Sequence, residues 1–293
     1  MIRQLRQPRQ PGPPRQLSRA LSRTGPSSTT LSATVALLAV SLAVQPLVGV
    51  TAPAAATPST VLPAAASPAA AQAQAGRPAV IESRVIGRSV RDRPIRAFHL
   101  GEPRRASSTV VAIAAMHGDE RRSARPLRHL RDHRPVVGAD LWVIPVLNPD
   151  GFARHDRQNA HGVDLNRNFP VRWADLDGET ESGPRPASEP ETRAAMDFLR
   201  QIDPDHVVSL HQPLFGIDPR TKNPAFARRL AREMRLPLHR IDCGGACHGT
   251  MTQWFNARRD GDSITAEFSQ RPSGRYLSRT APNGLLRTIG GHR

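Results

Sequence analysis

The pattern of hydrophobic and polar positions along the chain predicts strands that alternate with helices. Stretches of strand character occur at 81–90, 93–101, 108–116, 141–148, 205–211, 237–241 and 263–269. Apolar residues with helical spacing occur at 119–131, 188–201, 224–234 and 250–258. Some of the strands are apolar throughout, as strands covered on both faces are. The alternation therefore predicts an α/β fold.

One long segment, 149–187, interrupts this alternation. It has little periodicity and many Gly, Pro, Asn and Asp residues, so we expect a loop. A loop of this length inside a compact domain usually has a function. Ser188 and Glu191, which follow it, have the spacing of a capping box and predict the start of the next helix.

The amino-terminal residues have the pattern of an export signal. An arginine-bearing stretch without acids precedes an apolar run at 33–50, and small residues follow the run. We expect an export signal peptide at 1–56, an Ala/Pro-rich disordered linker at 57–79 and one folded domain at 80–293. The apolar run is short for a membrane span, so no stable span is expected after signal removal. A retained amino-terminal membrane anchor is the alternative.

The charge of the chain narrows the classes of partner. Its 293 residues carry a formal net charge of +16, and Lys222 is the only lysine. Such a charge attracts polyanions. The arginines form no basic helix and do not alternate with aromatic residues, so we expect no nucleic-acid partner.

Candidate functional residues fall at the carboxyl ends of four predicted strands. His117 and Glu120 follow one strand, Asn148 follows the next, His211 ends a third, and Glu267 lies near the end of the last. Ligands of open α/β sheets bind beyond the carboxyl ends of the strands. We therefore expect these side chains to meet at one edge of the sheet.

His117 and Glu120 are three residues apart at a strand-to-helix junction, where both can reach one ion. His211 can supply a third ligand, and two histidines, one carboxylate and an open position are typical of a catalytic zinc site. For the His-x-x-Glu pair alone, a polar turn is the alternative. Asp119 is interpreted as a surface turn residue without a role.

Two further stretches carry chemistry. Glu267 sits in the otherwise apolar stretch ITAEF, where a carboxylate must be paired, liganded or catalytic to offset its desolvation. The stretch RQNAHGVDLNRNFP contains Arg157, Asp164, Asn166 and Arg167. A guanidinium beside an amide suits the capture of a carboxylate. The alternative is a loop arginine paired with a local acid.

These stretches together resemble a known family. Between residues 81 and 272, the chain is similar to the zinc carboxypeptidases of the carboxypeptidase A type, and within them to the bacterial murein tripeptide amidase group. The similar stretches are MHGDE, NPDGF, RQNAHGVDLNRNFP, SGPRPASEPET, VVSLHQPLFGID, CGGACHGTMT and ITAEF. The resemblance implies a single catalytic domain at 80–293, built on a mixed, mostly parallel sheet flanked by helices.

The resemblance also implies a ligand set. His117, Glu120 and His211 would bind one Zn²⁺, and Asp164 would orient the first of these histidines, a role that tunes ligand basicity.

Four further residues would act on the substrate. Glu267 would be the general base that takes a proton from water and delivers it to the leaving amine. Arg157 would stabilise the oxyanion. Asn166 and Arg167 would hold the carboxylate of the residue on the leaving side.

The chain departs from the family at one position. These enzymes usually have a tyrosine in a mobile loop before the catalytic glutamate, but the single tyrosine here, Tyr276, follows Glu267. We predict that His248 closes the site instead; a loop histidine that faces solvent is the alternative. Cys243 and Cys247 are predicted to pair in an exported protein, with free thiols as the alternative.

The sequence thus predicts an exported zinc-dependent peptidase or amidase, secreted or retained in a bacterial cell envelope. It would hydrolyse an amide bond next to a carboxylate-bearing residue of a peptidoglycan stem peptide, of the γ-D-Glu-diaminopimelate type. The alternative substrate class is peptide C-termini, as for a general metallocarboxypeptidase. The full VDLNRNFP stretch disfavours the related acyl-amino-acid hydrolases, and the complete residue set disfavours a catalytically inactive wall-binding module.

Overall fold

The computed structural model describes residues 78–293 as one sheet with helices on both faces. The strands are β1 Glu82–Arg88, β2 Pro94–Gly101, β3 Thr109–Ala114, β4 Asp140–Ile144, β5 His206–His211, β6 Leu214–Ile217 and β7 Asp262–Ser269. The helices are α1 Ala124–Asp132, α2 Pro149–Arg154, α3 Pro190–Ile202, α4 Pro224–Met234, α5 Met251–Arg258 and α6 Ala281–Thr288. A π-helical turn, Tyr276–Thr280, leads into α6.

The strands form one mixed sheet in the order β1-β2-β4-β3-β5-β7-β6. The four central strands, β4, β3, β5 and β7, run parallel, and antiparallel pairings complete both edges. Residues 110–114 of β3 are all buried, which accounts for their apolar run. The predicted α/β fold with a mixed sheet between helices is confirmed.

Helices pack on both faces of the sheet. On one face, α1, α4 and α6 bury Leu127, Leu230 and Leu285 in a shared apolar cluster. On the other face, α3 and α5 contribute Phe198 and Trp254 to a second cluster. Burying a side chain of this size stabilises the fold by about 1.5–3 kcal/mol. The two apolar layers therefore hold the sheet rigidly between the helices, and the candidate residues lie at one edge of this rigid sheet.

The segment 149–187 is not entirely a loop, because it begins with the short helix α2. Asn148 caps this helix: its Oδ1 accepts a hydrogen bond from the Gly151 amide at 2.8 Å. Pro149 occupies the first helical turn, where its missing N–H is not needed. The stretch NPDG is typical of a turn, but here the same residues cap and begin a helix.

Other elements also differ from the sequence expectations. The stretch 237–241 is not a strand, since only Leu238 makes an isolated bridge, to Ile217. The short strand β6 occupies that sheet edge instead. Helix α6 is absent from the sequence expectations because it contains Pro282 and Gly284. The glycine is needed where α6 packs against α4, since a Cβ atom at Gly284 would lie 2.4 Å from the Glu233 carbonyl oxygen.

The capping box predicted at Ser188 and Glu191 does not form. Glu189 is the N-cap of α3 and makes no side-chain cap bond. The Glu191 carboxylate instead accepts hydrogen bonds from the Val90 amide at 3.1 Å and from Asn159 Nδ2 at 3.0 Å. Glu191 therefore ties α3 to the turn after β1 and to the long loop.

The predicted signal peptide at 1–56 and nearly all of the predicted linker at 57–79 lie outside the described residues. Between residues 78 and 293, no helix is both long enough and apolar enough to cross a bilayer.

Candidate active site

The carboxyl ends of the parallel strands bring the candidate residues to one edge of the sheet. His117 follows β3, and Asn148 follows β4. His211 ends β5 and lies opposite Glu267 of β7 in the parallel register. The side chains of His117, His211 and Glu267 line one cavity of about 500 Å³.

Three of these side chains form a cluster suited to a metal ion. His117, Glu120 and His211 are buried, and one donor atom from each lies within 4.8 Å of the others. His117 Nδ1 is 2.6 Å from Glu120 Oε1, and His211 Nδ1 is 3.0 Å from Glu120 Oε2. Two imidazole nitrogens and a carboxylate facing a cavity are the donor set of a catalytic zinc site.

The second nitrogen of each imidazole has its own partner. His117 Nε2 lies 2.9 Å from Asp164 Oδ1, and His211 Nε2 lies 2.7 Å from Ser209 Oγ. These contacts leave both Nδ1 atoms beside Glu120, as partners of metal ligands do. Sequence reasoning found Asp164 but missed Ser209. The signal was available, since Ser209 and His211 are two residues apart in a strand and share a face.

The backbone before and after His117 is constrained. A side chain at Gly118 would lie 2.0 Å from the Gly151 carbonyl carbon and 2.4 Å from the Asp156 carbonyl oxygen. Only glycine permits this approach of the two chain segments. Ala115 adopts a positive φ of 47°, a strained conformation that structures keep chiefly at functional sites. The glycines of MHGDE and NPDGF are therefore explained by one contact.

The charges of the cluster favour a cation. Burial alone raises the pKa of Glu120, but the imidazoles of His117 and His211 lower that pKa to about 2. Burial alone lowers the pKa of His117, but the carboxylates of Glu120 and Asp164 raise that pKa to about 9. The surrounding acids therefore stabilise positive charge at this point of the fold.

Arg157 is paired with a local acid and also lines the cavity. Its Nε and Nη2 donate to Asp164 Oδ2 at 3.0 and 2.6 Å. Its Nη1 lies 3.9 Å from Glu120 Oε1. The structure thus shows this arginine paired with a local acid, and the pairing fixes the guanidinium beside the metal cluster. Its role toward a substrate stays a prediction.

Arg167 is buried and forms no salt bridge with any acid among residues 78–293. Only 6% of it is exposed. Its Nη1 donates to the Asn166 carbonyl oxygen at 2.7 Å, and its buried Nε has no hydrogen-bond partner. Burial lowers its pKa. The Oδ1 of Asn166 is occupied by the Met251 amide at 3.0 Å, which fixes this amide beside the guanidinium.

Glu267 is a buried carboxylate without a salt bridge to any described residue. It is 6% exposed, and the Leu214 amide donates to its Oε2 at 3.3 Å. Burial raises its pKa, which suits a group that accepts a proton during catalysis.

The cavity wall includes residues that sequence reasoning missed. They come from the loops around the sheet edge, from α5 and from β7: Arg172, Asp218, Arg220, Thr252, Asn256 and Thr265. Only Thr265 carried a sequence signal, since it lies two residues before Glu267 in a strand and shares its face.

The loop 243–250 lies at this cavity. Cys243 and Cys247 form a disulfide with a Cα–Cα distance of 5.5 Å, and both residues line the cavity. The Nδ1 of His248 lies 3.2 Å from the Arg172 carbonyl oxygen, and the lining residues do not include His248. The predicted role of His248 in closing the site stays a prediction.

Sequence comparisons agree with this geometry. Residues 69–213 match the family model described as zinc carboxypeptidase. The chain is 36% identical over 211 residues to murein peptide amidase A of Escherichia coli (strain K12), covering 65% of this chain and 84% of that protein. It is 30% identical over 171 residues to murein peptide amidase A of Vibrio campbellii, covering 53% of this chain and 67% of that protein.

Solved structures show the same architecture. The crystal structure of murein-tripeptide amidase from Escherichia coli O157 matches with a TM-score of 0.59 and 29% identity, covering 76% of this chain and 97% of that chain. Carboxypeptidase A from Helicoverpa armigera also gives a TM-score of 0.59, at 17% identity, and covers 72% of this chain and 68% of that chain. The second match shows the fold alone.

Proposed function

Because the chain belongs to the zinc carboxypeptidase family, we propose that this zinc-dependent hydrolase cleaves an amide bond beside a carboxylate-bearing residue of a peptidoglycan stem peptide. We further propose that it acts outside the cytoplasm, after export through its amino-terminal segment. Glu267 and Arg157 are the proposed catalytic residues, His117, Glu120 and His211 the proposed zinc ligands, and Asn166 and Arg167 the proposed carboxylate binders.

The observation that carries the proposal is the unpaired guanidinium of Arg167. A buried charge without a partner is costly, so a site that retains one favours a ligand of opposite charge. Arg167 lines the same cavity as the metal cluster and Glu267. A carboxylate on the leaving-side residue would pair with Arg167 and accept from the Asn166 amide group, which positions the adjacent amide bond.

The proposed chemistry follows from the roles of the side chains. A zinc ion held by His117, Glu120 and His211 would supply Lewis acidity to the substrate carbonyl and to water. Glu267, whose pKa burial raises, would accept a proton from the attacking water and deliver it to the leaving nitrogen. Arg157, fixed by Asp164, would donate hydrogen bonds to the negative charge that develops on the carbonyl oxygen.

Two observations support a stem peptide over an ordinary peptide C-terminus. The similarity to murein peptide amidase A of Escherichia coli extends over 84% of that protein, whereas the sequence similarity to human carboxypeptidase A6 covers 18% of that protein. The cavity also contains charged side chains in addition to those that the proposed mechanism uses. Cleavage of general peptide C-termini remains the second candidate function, since Arg167 serves either carboxylate.

A substrate panel separates the two candidates. The purified full chain is incubated with L-Ala-γ-D-Glu-meso-diaminopimelate and with α-linked peptides that differ in their C-terminal residue, and the released amino acids are quantified. We expect the γ-linked tripeptide to be cleaved best, with activity lost after chelation and restored by zinc. Preferred cleavage of the α-linked peptides would favour the general carboxypeptidase.

Export has its own experiment. We expect the mature protein, isolated from cells that express the full chain, to begin near residue 57 and to fractionate outside the cytoplasm. A cytoplasmic protein that retains its first residues would contradict the export proposal and leave the enzymatic proposal intact.

A further inference from the structure

The cavity that contains Glu267 also contains an ion pair that the proposed mechanism does not use. Arg220 Nε lies 2.9 Å from Asp218 Oδ1 and 3.0 Å from Asp218 Oδ2. Arg220 Nη2 also donates to the Ile241 carbonyl oxygen at 2.7 Å. Asp218, Arg220 and the neighbouring Asp242 all line the cavity.

The sheet register places this pair relative to the catalytic residues. Gly216 of β6 lies opposite Glu267, and the Asp218 amide donates to the Thr265 carbonyl oxygen at 3.1 Å. Opposed residues in antiparallel strands share a face, as do residues two apart in one strand. Asp218 and Thr265 therefore lie on the face of Glu267, about 7 Å farther back along β7 at about 3.3 Å per residue.

Arg220 and Asp242 each keep a polar atom that is available to a ligand. Asp218 and Ile241 fix the Arg220 guanidinium, but its Nη1 has no hydrogen-bond partner within residues 78–293. The Arg220 side chain is 46% exposed, so a ligand in the cavity can reach it. Asp242 Oδ1 accepts from the Gly244 amide at 3.0 Å, and its second oxygen has no hydrogen bond to a described residue.

A guanidinium fixed by one carboxylate, with a second carboxylate in the same cavity, is complementary to a group that carries both an acid and an amine. Acids alone would suit a lysine or arginine side chain, and an arginine alone would suit a simple acid. The two signs together suit a zwitterionic amino-acid centre.

We propose that Asp218, Arg220 and Asp242 bind a second amino-acid centre, carrying an ammonium and a carboxylate, at the far end of the leaving-side residue. This inference rests on the proposed function, in which Arg167 holds the first carboxylate of that residue. Arg220 Nη1 donates to the distal carboxylate, and Asp242 accepts from the distal ammonium. Two centres joined by three methylenes lie about 5 Å apart at about 1.5 Å per bond and tetrahedral angles, so both centres of one residue can lie in the cavity that Arg167 and Arg220 line.

Three substrates that share the L-Ala-γ-D-Glu part test the inference. Their leaving residues are meso-diaminopimelate, L-lysine, which lacks the distal carboxylate, and L-2-aminopimelate, which lacks the distal amine. For the wild type, kcat/KM for the diaminopimelate peptide should exceed each of the others about tenfold, the lower range for one charged hydrogen bond. Arg220→Gln should lower kcat/KM about tenfold for the two peptides with a distal carboxylate and leave the lysine peptide unchanged.

Arg240→Gln is the matched control, because Arg240 is an exposed arginine of the neighbouring loop and does not line the cavity. It should keep all three wild-type values. If Arg220→Gln does not fold, Arg220→Lys keeps the positive charge but lacks Nη1, and it should lose the diaminopimelate-over-lysine preference as well. If a folded Arg220 variant prefers the diaminopimelate peptide over the lysine peptide as strongly as the wild type does, this inference is overturned and the proposed function is not. A wild type that cleaves none of the three peptides overturns the proposed function with it.

Discussion

Replacing Asp164 with asparagine tests how the site is held together. Asp164 is fully buried and accepts four hydrogen bonds: Oδ1 from His117 Nε2 at 2.9 Å and the Asn166 amide at 2.9 Å, and Oδ2 from Arg157 at 3.0 and 2.6 Å. Asparagine keeps the shape of the side chain but has one oxygen, so in either orientation its NH₂ group faces two donors. At least two of the four hydrogen bonds are therefore lost.

The magnitude follows from this count. A hydrogen bond to a charged group contributes about 1.5–3 kcal/mol. The Arg157 side chain is 27% exposed, so water can replace part of the hydrogen bonding that it loses in the variant. We therefore take the lower value for each lost hydrogen bond. The metal-free Asp164→Asn variant should then unfold with a free energy about 3 kcal/mol below that of the wild type. Loss of the partner of His117 should weaken zinc binding about 10–100-fold.

Two assays on one variant check this prediction. Urea unfolding of the chelated protein gives the free energy of unfolding, and competition with a chromophoric chelator gives the zinc affinity. Asp119→Asn is the matched control, because it removes the same charge next to Glu120 at an exposed residue whose carboxylate forms no hydrogen bond or salt bridge with a side chain among residues 78–293. Wild-type stability and zinc affinity in Asp164→Asn would refute the reasoning.

Two further predictions concern the buried side chain of Tyr276 and the disulfide between Cys243 and Cys247. Burial raises the pKa of Tyr276, whose hydroxyl donates to the Met234 carbonyl oxygen at 2.8 Å; its stabilising contribution is present below pH 10 and lost as the pH rises further. Since it is the only tyrosine, its absorbance should titrate together with alkaline unfolding, and a midpoint near pH 10 in the folded protein would contradict this. Reducing Cys243–Cys247 with a phosphine should raise KM, because both residues line the cavity, and should lower the free energy of unfolding by about 2 kcal/mol at most. The variant with both cysteines changed to serine should not respond to the phosphine, and an unchanged KM for the reduced wild type would count against a role for this loop in binding.

The sequence predicted those parts of the site that lie on regular elements. Apolar runs identify the central strands, and a ligand site forms beyond their carboxyl ends, so the sequence alone places His117, His211 and Glu267 at one edge. The spacing of His117 and Glu120 selects Glu120 rather than Asp119 because both side chains must reach one point from a strand-to-helix junction.

Other features depend on contacts between distant segments. The contact of Gly118 with Gly151 exists only once β3 and β4 lie side by side, although each glycine is visible in its own motif. Arg220 enters the cavity from an irregular segment, where no periodicity indicates a direction. The capping box failed for the same reason, since the Val90 amide, far away in sequence, competes for Glu191.

The most direct test of the central claim is the turnover of Glu267→Gln measured together with its zinc content. The donor atoms of the metal cluster come from His117, Glu120 and His211, so this variant should bind one zinc ion per chain with wild-type affinity. Because glutamine cannot accept the proton from water, kcat should fall about 10²–10⁴-fold. Wild-type kcat in the fully zinc-loaded variant would contradict the assignment of Glu267 as the general base and, with it, the proposed mechanism.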